Sequence, residues 1–163
     1  MQTRRCLLAN HLELGYLFEG KGEAEPAFSR ETIEAQAGIF LDSGIGRDRE
    51  GLVVIRSGEH GVLLYLSKSK AGWLPPYCDQ GCNKVLDPIG TGNAFIGALA
   101  VSLHETRDPR QACICGSVAA SYAIEQFGPS PKLTVSSSLS AERWNGSDVI
   151  ARVEEFKSRI SGY

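Results

Sequence analysis

The sequence predicts an α/β domain: a largely parallel sheet flanked by helices. Three observations lead there. Gly51-Leu-Val-Val-Ile55 is a continuous apolar run bounded by turn residues, with the length of a strand buried on both faces. Stretches of helical periodicity alternate with such runs along the chain. A glycine cluster, Gly90-Thr-Gly92, lies between a short strand and a helix, where ligands of open α/β sheets collect at the carboxyl ends of strands.

Taken in order, residues 5–9 read as a short strand. Asn10 opens a helix through about Phe18, with Glu13 at its third position. Residues 20–28 form a loop rich in Gly, Glu and Pro. Ser29 is the N-cap of a helix from Arg30 to about Asp42, apolar along Ile33, Ala37, Phe40 and Leu41 and ended by Gly44 and Gly46. After Gly51–Ile55, the turn Ser57-Gly58-Glu-His-Gly61 returns the chain as Val62–Leu66, a hairpin partner. Trp73-Leu-Pro-Pro is an extended edge segment, because proline cannot donate to a central ladder. Lys84–Asp87 is another short strand.

Helix 93–104 is apolar on nearly every side, through Phe95, Ile96, Ala98, Leu99, Val101 and Leu103, and such a helix is expected to be buried. Asp108-Pro109 supplies an N-cap and a proline at the first helical position of the next helix, which runs to about Phe127 and stops at Gly128-Pro129. Its small residues, Ala112, Gly116, Ser117, Ala119, Ala120, Ser121 and Ala123, admit a close neighbour. Residues 129–138 are a Pro/Ser-rich connection. A last helix over about 147–160 carries Val149, Val153, Phe156 and Ile160 at helical spacing. No internal repeat and no domain boundary stands out.

The 163 residues suffice for one domain. A composition of 42% hydrophobic and 22% charged residues is ordinary for a globular protein. The net charge of −2 gives no reason to expect a nucleic-acid partner, and Arg4-Arg5 is too short to be a basic patch. No apolar run reaches the roughly 18 residues a membrane span needs, and the N-terminus lacks a secretory h-region. Five cysteines include Cys78 and Cys82, and Cys113 and Cys115, without the paired spacing of a zinc site; His11, His60 and His104 do not cluster with them. Free thiols and a cytoplasmic location are therefore expected.

The segment with chemistry in it is Asp87-Pro-Ile-Gly90-Thr-Gly92-Asn93-Ala-Phe-Ile-Gly97-Ala-Leu. Glycines after a strand let the backbone turn sharply. The helix that follows adds unsatisfied N–H groups and the positive end of its dipole, and together these make an anion site. Gly97, one turn in, is expected to let the helix pack close to the sheet. The segment is not a Walker loop, because no lysine follows. Nor is it the dinucleotide fingerprint, because the third glycine comes two residues late.

DPIGTGNAFIGAL resembles the C-terminal signature of PfkB/ribokinase-type carbohydrate kinases, commonly DTxGAGDxFxGA. Asp87, Gly90, Gly92, Phe95, Gly97 and Ala98 fall on matching positions. The resemblance implies a ribokinase-like fold that binds ATP and Mg2+. It implies an anion hole at Gly90, Thr91, Gly92 and the N–H of Asn93. Upstream, Asn10-His-Leu-Glu13 is similar to the family's Asn-x-x-Glu motif, which implies metal and phosphate handling; the same spacing also suits a helix capping box. Ser57-Gly58-Glu-His-Gly61 is similar to the family's nucleotide-side turn TxGxxG, with Arg56 at the position of the Thr. Gly116, Ala119 and Ala120 are implied to border the nucleotide with Ser57, Gly58 and Gly61. Trp73-Leu-Pro-Pro-Tyr77, Gly116-Ser-Val-Ala-Ala-Ser121, Ala123-Ile-Glu-Gln-Phe-Gly128 and Trp144-Asn-Gly146 resemble the fungal maintenance-of-killer-like branch of the family. Residues 1–163 thus correspond to the C-terminal, nucleotide-binding part of a PfkB domain.

Two departures shape the functional expectation. Asn93 stands at the position of the family's general base, and a neutral amide accepts no proton. The part of the domain before Asn10 normally carries the sugar-contacting residues and the lid, and here nine residues precede Asn10. The chain is then a fragment, a truncated product, or a half completed by a partner chain along its exposed sheet edge. Two functions follow: an ATP-dependent phosphotransferase acting on a sugar or nucleoside hydroxyl, or a catalytically degenerate binding or scaffold protein on the same fold.

Overall fold

The computed structural model describes residues 6–20, 25–45, 51–66, 71–79, 82–133 and 143–160. Arg4-Arg5, Gly46, residues 21–24 of the Gly/Glu loop and residues 134–138 of the Pro/Ser-rich connection lie outside them. The chain divides into two compact units, Met1–Leu74 and Pro75–Tyr163, at a Leu-Pro bond that the sequence reading did not mark as a boundary.

The first unit is a four-stranded sheet with helices. Its elements are β1 (Cys6–Asn10), α1 (His11–Glu19), α2 (Arg30–Asp42), β2 (Leu52–Arg56), β3 (Val62–Leu66) and β4 (Gly72–Leu74), in sheet order β1-β2-β3-β4. β1 pairs with β2 in parallel, Cys6 opposite Leu52 and Asn10 opposite Arg56. The pairs β2–β3 and β3–β4 are antiparallel. The sheet is therefore mixed where the alternation of elements suggested a largely parallel one. The physical reason is the five-residue turn after β2, too short for the crossover that a parallel partner requires. β2 is buried on both faces as expected, with Leu52, Val53, Val54 and Ile55 fully buried. Leu14, Ile33, Ala37, Leu41, Val53, Ile55 and Leu63 form one core cluster, so the apolar sides of α1 and α2 cover one face of the sheet. Trp73 lies on the edge strand β4. Its indole N–H donates to Glu34 Oε1 at 2.6 Å, and the Arg30 guanidinium sits 4.9 Å from its ring centroid.

The second unit is built from α3 (Thr91–Thr106), α4 (Pro109–Ile124), a small antiparallel sheet of β5 (Lys132–Leu133), β6 (Arg143–Trp144) and β7 (Ser147–Asp148), and α5 (Val149–Ile160). α3 and α4 meet where Gly116 faces the Phe95 ring: a β-carbon at Gly116 would lie 2.9 Å from that ring. Asn145 and Gly146 both have positive φ, 49° and 75°, and form the tight turn between β6 and β7 that an Asn-Gly pair favours. Asn145 also ties the turn down, donating from Nδ2 to the Tyr122 carbonyl at 2.9 Å. α5 buries Arg152, Phe156 and Ile160, four residues apart on one face. Arg152 donates to Glu125 Oε2 at 3.1 Å and to Ser121 Oγ at 3.1 Å, and lies 3.9 Å from the Tyr122 ring centroid.

Three expectations change in this unit. Lys84–Asp87 is not a strand. The chain there is irregular, and the N–H groups of Leu86 and Asp87 both donate to the Ile124 carbonyl, at 2.8 and 3.2 Å. That carbonyl ends α4 and has no helical partner, so it takes the donors a ladder would have used. α3 is not buried all round: Phe95, Leu99 and Ser102 are buried while Val101 is 59% exposed. Among the described residues nothing lies within 4 Å of a β-carbon at Gly97, so the close approach expected there is not made, whereas the one expected among the small residues of α4 is made at Gly116. The thiol expectation is corrected as well. Cys78 and Cys82 are joined by a disulfide across a turn in which the Cys82 N–H donates to the Asp79 carbonyl at 2.9 Å, and Cys6, Cys113 and Cys115 remain free. Burial pushes the Cys6 thiol up to about 11.

Candidate functional site

The turn before α3 is assembled from the side chains beneath it. The Asp87 carboxylate accepts a hydrogen bond from the Ile89 N–H at 2.9 Å, the local Asx geometry that starts a turn. The Pro88 carbonyl then accepts twice from Thr91, from its hydroxyl at 2.8 Å and its N–H at 3.3 Å. Gly90 sits between these bonds at φ 84°, in the left-handed region that costs a residue with a β-carbon roughly 1–2 kcal/mol. Its carbonyl accepts the first helical bond, from the Ala94 N–H at 3.0 Å.

The result is a helix N-terminus whose cap residue has no side chain to offer. Among the described residues, the N–H groups of Gly92 and Asn93 make no hydrogen bond. Asn93 is exposed, so its side-chain amide stands beside those donors at the solvent surface. A 16-residue helix behind them adds its dipole. Chemically, free N–H groups at the head of a helix suit an anion of phosphate or carboxylate type.

In the first unit, the parallel pair β1–β2 ends at Asn10 and Arg56, opposite one another. Asn10 and Glu13, expected to handle metal and phosphate, form a reciprocal capping box. The Asn10 side chain accepts from the Glu13 N–H at 2.8 Å, and Glu13 Oε2 accepts from the Asn10 N–H at 2.7 Å, while the N–H groups of His11 and Leu12 make no hydrogen bond among the described residues. Glu13 is exposed, and its other carboxylate oxygen is left without a protein partner among the described residues. The turn after β2 closes on itself: Ser57 N–H to the Gly61 carbonyl at 2.8 Å, His60 N–H to the Ser57 carbonyl at 2.9 Å, and Gly61 N–H to the Gly58 carbonyl at 3.1 Å. Gly58 and Gly61 have φ of 53° and 94°, so both glycines are needed for the backbone path. Ser57 is fully buried, and its hydroxyl has no partner among the described residues. The Phe28 ring stacks on His60 at 3.6 Å.

The expected site residues thus fall into groups. Asn10, Glu13, Ser57, Gly58 and Gly61 share the carboxyl end of β1 and β2. Gly90, Thr91, Gly92 and Asn93 form the loop of the second unit. Gly116 lies on α4 beneath Phe95, where its lack of a side chain serves helix packing; Ala119 and Ala120 are half-buried one turn on. Two contributors escaped the sequence reading, the Asp87–Ile89 bond and the Thr91–Pro88 bond. Asp-Pro-x-Gly is a turn signature that pointed to the first. Nothing in the sequence pointed to the second. A groove of about 450 Å3 also opens on the second unit, lined by Lys84, Leu86, Glu125, Asn145 and Arg152, and no residue of the loop 87–93 lines it. Arg152 was legible as the one charge on the buried side of α5.

The profile of the pfkB family carbohydrate kinases matches residues 6–135. Protein MAK32 of Saccharomyces cerevisiae is 35% identical over 157 residues, which cover 94% of this chain and 40% of that protein. An uncharacterized protein of Schizosaccharomyces pombe is 33% identical over 147 residues, 83% of this chain and 40% of that protein. The chain therefore spans 40% of the length of these two relatives. Among solved structures, the ribokinase of Thermotoga maritima superposes with a TM-score of 0.61 at 24% identity, over 94% of this chain and 42% of its own. The ribokinase of Arabidopsis thaliana complexed with ribose and ATP gives 0.60 at 22% identity, over 76% of this chain and 36% of its own. The fold is ribokinase-like.

Proposed function

Because this chain belongs to the pfkB family of carbohydrate kinases, we propose that it holds the phosphates of MgATP at Gly90–Asn93 and transfers the γ-phosphoryl group to a sugar or nucleoside hydroxyl. The observation that carries the reading is the pair of N–H groups on Gly92 and Asn93, left unpaired at the head of α3 above a glycine in the left-handed region. Those donors fit phosphate oxygens. Glu13, exposed with one free carboxylate oxygen, has the hard oxygen donor that Mg2+ takes, directly or through water. Mg2+, when bound, offsets phosphate charge.

The chain's own part in the reaction is binding and orientation. Gly92 and Asn93 hold the phosphoryl oxygens by backbone donation, and the Asn93 amide orients the acceptor hydroxyl. Asn93 accepts no proton, so the reaction lacks a general base at that position, a loss of about 100- to 10,000-fold in rate. Phosphoryl transfer depends mainly on positioning and charge stabilisation, so slow turnover remains.

The test has two stages. Thermal unfolding of the chain with MgATP is expected to shift upward relative to the chain alone. ADP release across a panel of sugars and nucleosides is then expected to be slow in the natural chain and faster in Asn93→Asp. A second reading, a non-catalytic binding or scaffold protein, is favoured by Asn93 itself. An upward shift with MgATP together with no ADP release from either version selects it.

A further inference from the structure

We infer that Asp87 and Thr91 are positioning residues, whose side chains hold the loop before α3 in the one conformation that keeps its donors free. The inference rests on the anion-binding reading above and names what sets the geometry of that site.

The argument starts from a competition. A helix N-terminus with a glycine cap has several orphan N–H groups, and a flexible Gly-x-Gly loop can satisfy them by folding back on itself. The turn Ser57–Gly61 does that, spending three N–H groups on carbonyls of the same five residues. The loop Gly90–Asn93 does not. Upstream of Gly90, Asp87 Oδ1 takes the Ile89 N–H, and the Pro88 carbonyl takes both the Thr91 hydroxyl and the Thr91 N–H. These bonds occupy the acceptors nearest the loop. Pro88 offers no N–H of its own. With Asp87 Oδ1 and the Pro88 carbonyl engaged, Gly92 and Asn93 keep their N–H groups free, and Gly90 is held at φ 84°.

Thr91 is the distinctive part. Its hydroxyl points back to Pro88 and so serves as a strut under the loop. An alanine or valine at 91 loses the hydroxyl bond at 2.8 Å, and with it the hold on the Pro88 carbonyl that keeps the longer backbone bond at 3.3 Å closed. Serine keeps both. Asp87→Asn keeps an oxygen acceptor for Ile89, whereas Asp87→Ala does not.

The test uses the full chain and two readouts. The first needs no nucleotide: amide hydrogen exchange at residues 88–94. In the natural chain, Ile89 and Thr91 are expected to be protected, with Gly92 and Asn93 exchanging fast. Thr91→Val is expected to lose protection at Thr91, and Asp87→Ala at Ile89. Thr91→Ser and Asp87→Asn are expected to keep it. The second readout is MgATP affinity by calorimetry, where Thr91→Val is expected to bind about tenfold more weakly and Thr91→Ser within about twofold of the natural chain. A melting temperature is taken for each variant, and a variant that melts broadly is replaced by Thr91→Ala. Unchanged exchange at Thr91 and Ile89 in Thr91→Val and Asp87→Ala overturns the inference, as does failure of serine to restore what valine removes. If exchange behaves as expected but the natural chain binds no MgATP, the nucleotide reading falls and the strut stands.

Discussion

The first turn of α1 and the first turn of α3 both follow an extended segment, and both begin with groups that a helix cannot satisfy internally. At α1, Asn10 and Glu13 trade hydrogen bonds between side chains and backbone, so the terminus carries a side-chain cap made by its own residues. α2 and α4 are closed likewise, by Ser29 and Asp108. At the start of α5, Asp148 accepts from the Ala151 N–H. α3 begins with a glycine and no side-chain bond. A glycine cap in place of Ser, Asn or Asp forgoes roughly a few tenths of a kcal/mol of helix stability. Among α1 to α5, α3 is the one without a side-chain cap in the described residues, and that difference is what the proposed phosphate site at Gly90–Asn93 draws on.

The largest effect should come from filling the open end. Gly92→Val places a branched side chain beside the free N–H groups and is expected to abolish MgATP binding by calorimetry while the fold is retained. Unchanged affinity would remove Gly90–Asn93 as the phosphate site. A smaller effect is expected at the closed end. Asn10→Ala loses the capping box and is expected to lower stability by about 1 kcal/mol, a fall in melting temperature of about 2–4 °C for a chain of this size. If Asn10 serves only as a cap, affinity for ATP stays the same with and without Mg2+. A loss of affinity seen only when Mg2+ is present assigns Asn10 and Glu13 to metal handling as well. The smallest effect concerns the dipole of α3. Asn93→Asp places a negative charge in its first turn and is expected to stabilise the nucleotide-free chain by about 0.3–1 kcal/mol at low salt, measured by denaturant unfolding. No change would mean that the terminus is already neutralised, and the contrast with α1 would weaken.

Much of this was written in local residue order. The capping box of Asn10 and Glu13, the caps at Ser29 and Asp108, the hairpin at Ser57–Gly61 and the glycine loop before α3 are each made by residues within five positions of one another. Their geometry follows from backbone and side-chain preferences that a short window contains. The strand expected at Lys84–Asp87 failed for the opposite reason. Its composition suits a strand, but a strand exists only when a neighbour supplies a ladder, and the Ile124 carbonyl, 37 residues away, took its donors instead. α3 failed similarly: its sequence is apolar all round, yet burial depends on what packs against each face, and Val101 is left 59% exposed. Gly97 and Gly116 looked alike as glycines in helices, and only the position of the Phe95 ring distinguishes them.

By itself, then, the sequence determined the α/β class, the family, the order of the helices and of the strands of the first unit, and the glycine loop before α3, and it left Asn10-x-x-Glu13 open between a family motif and a capping box. These rest on periodicity and on contacts between near neighbours. The tertiary structure alone decided that the sheet is mixed, that the segment before Asp87 is not a strand, that Gly97 has no close neighbour among the described residues, and that Thr91 bonds back to Pro88. Each of those depends on which distant group reaches a hydrogen-bonding or packing partner first, or on which of several local acceptors wins, and composition does not encode the outcome of that competition.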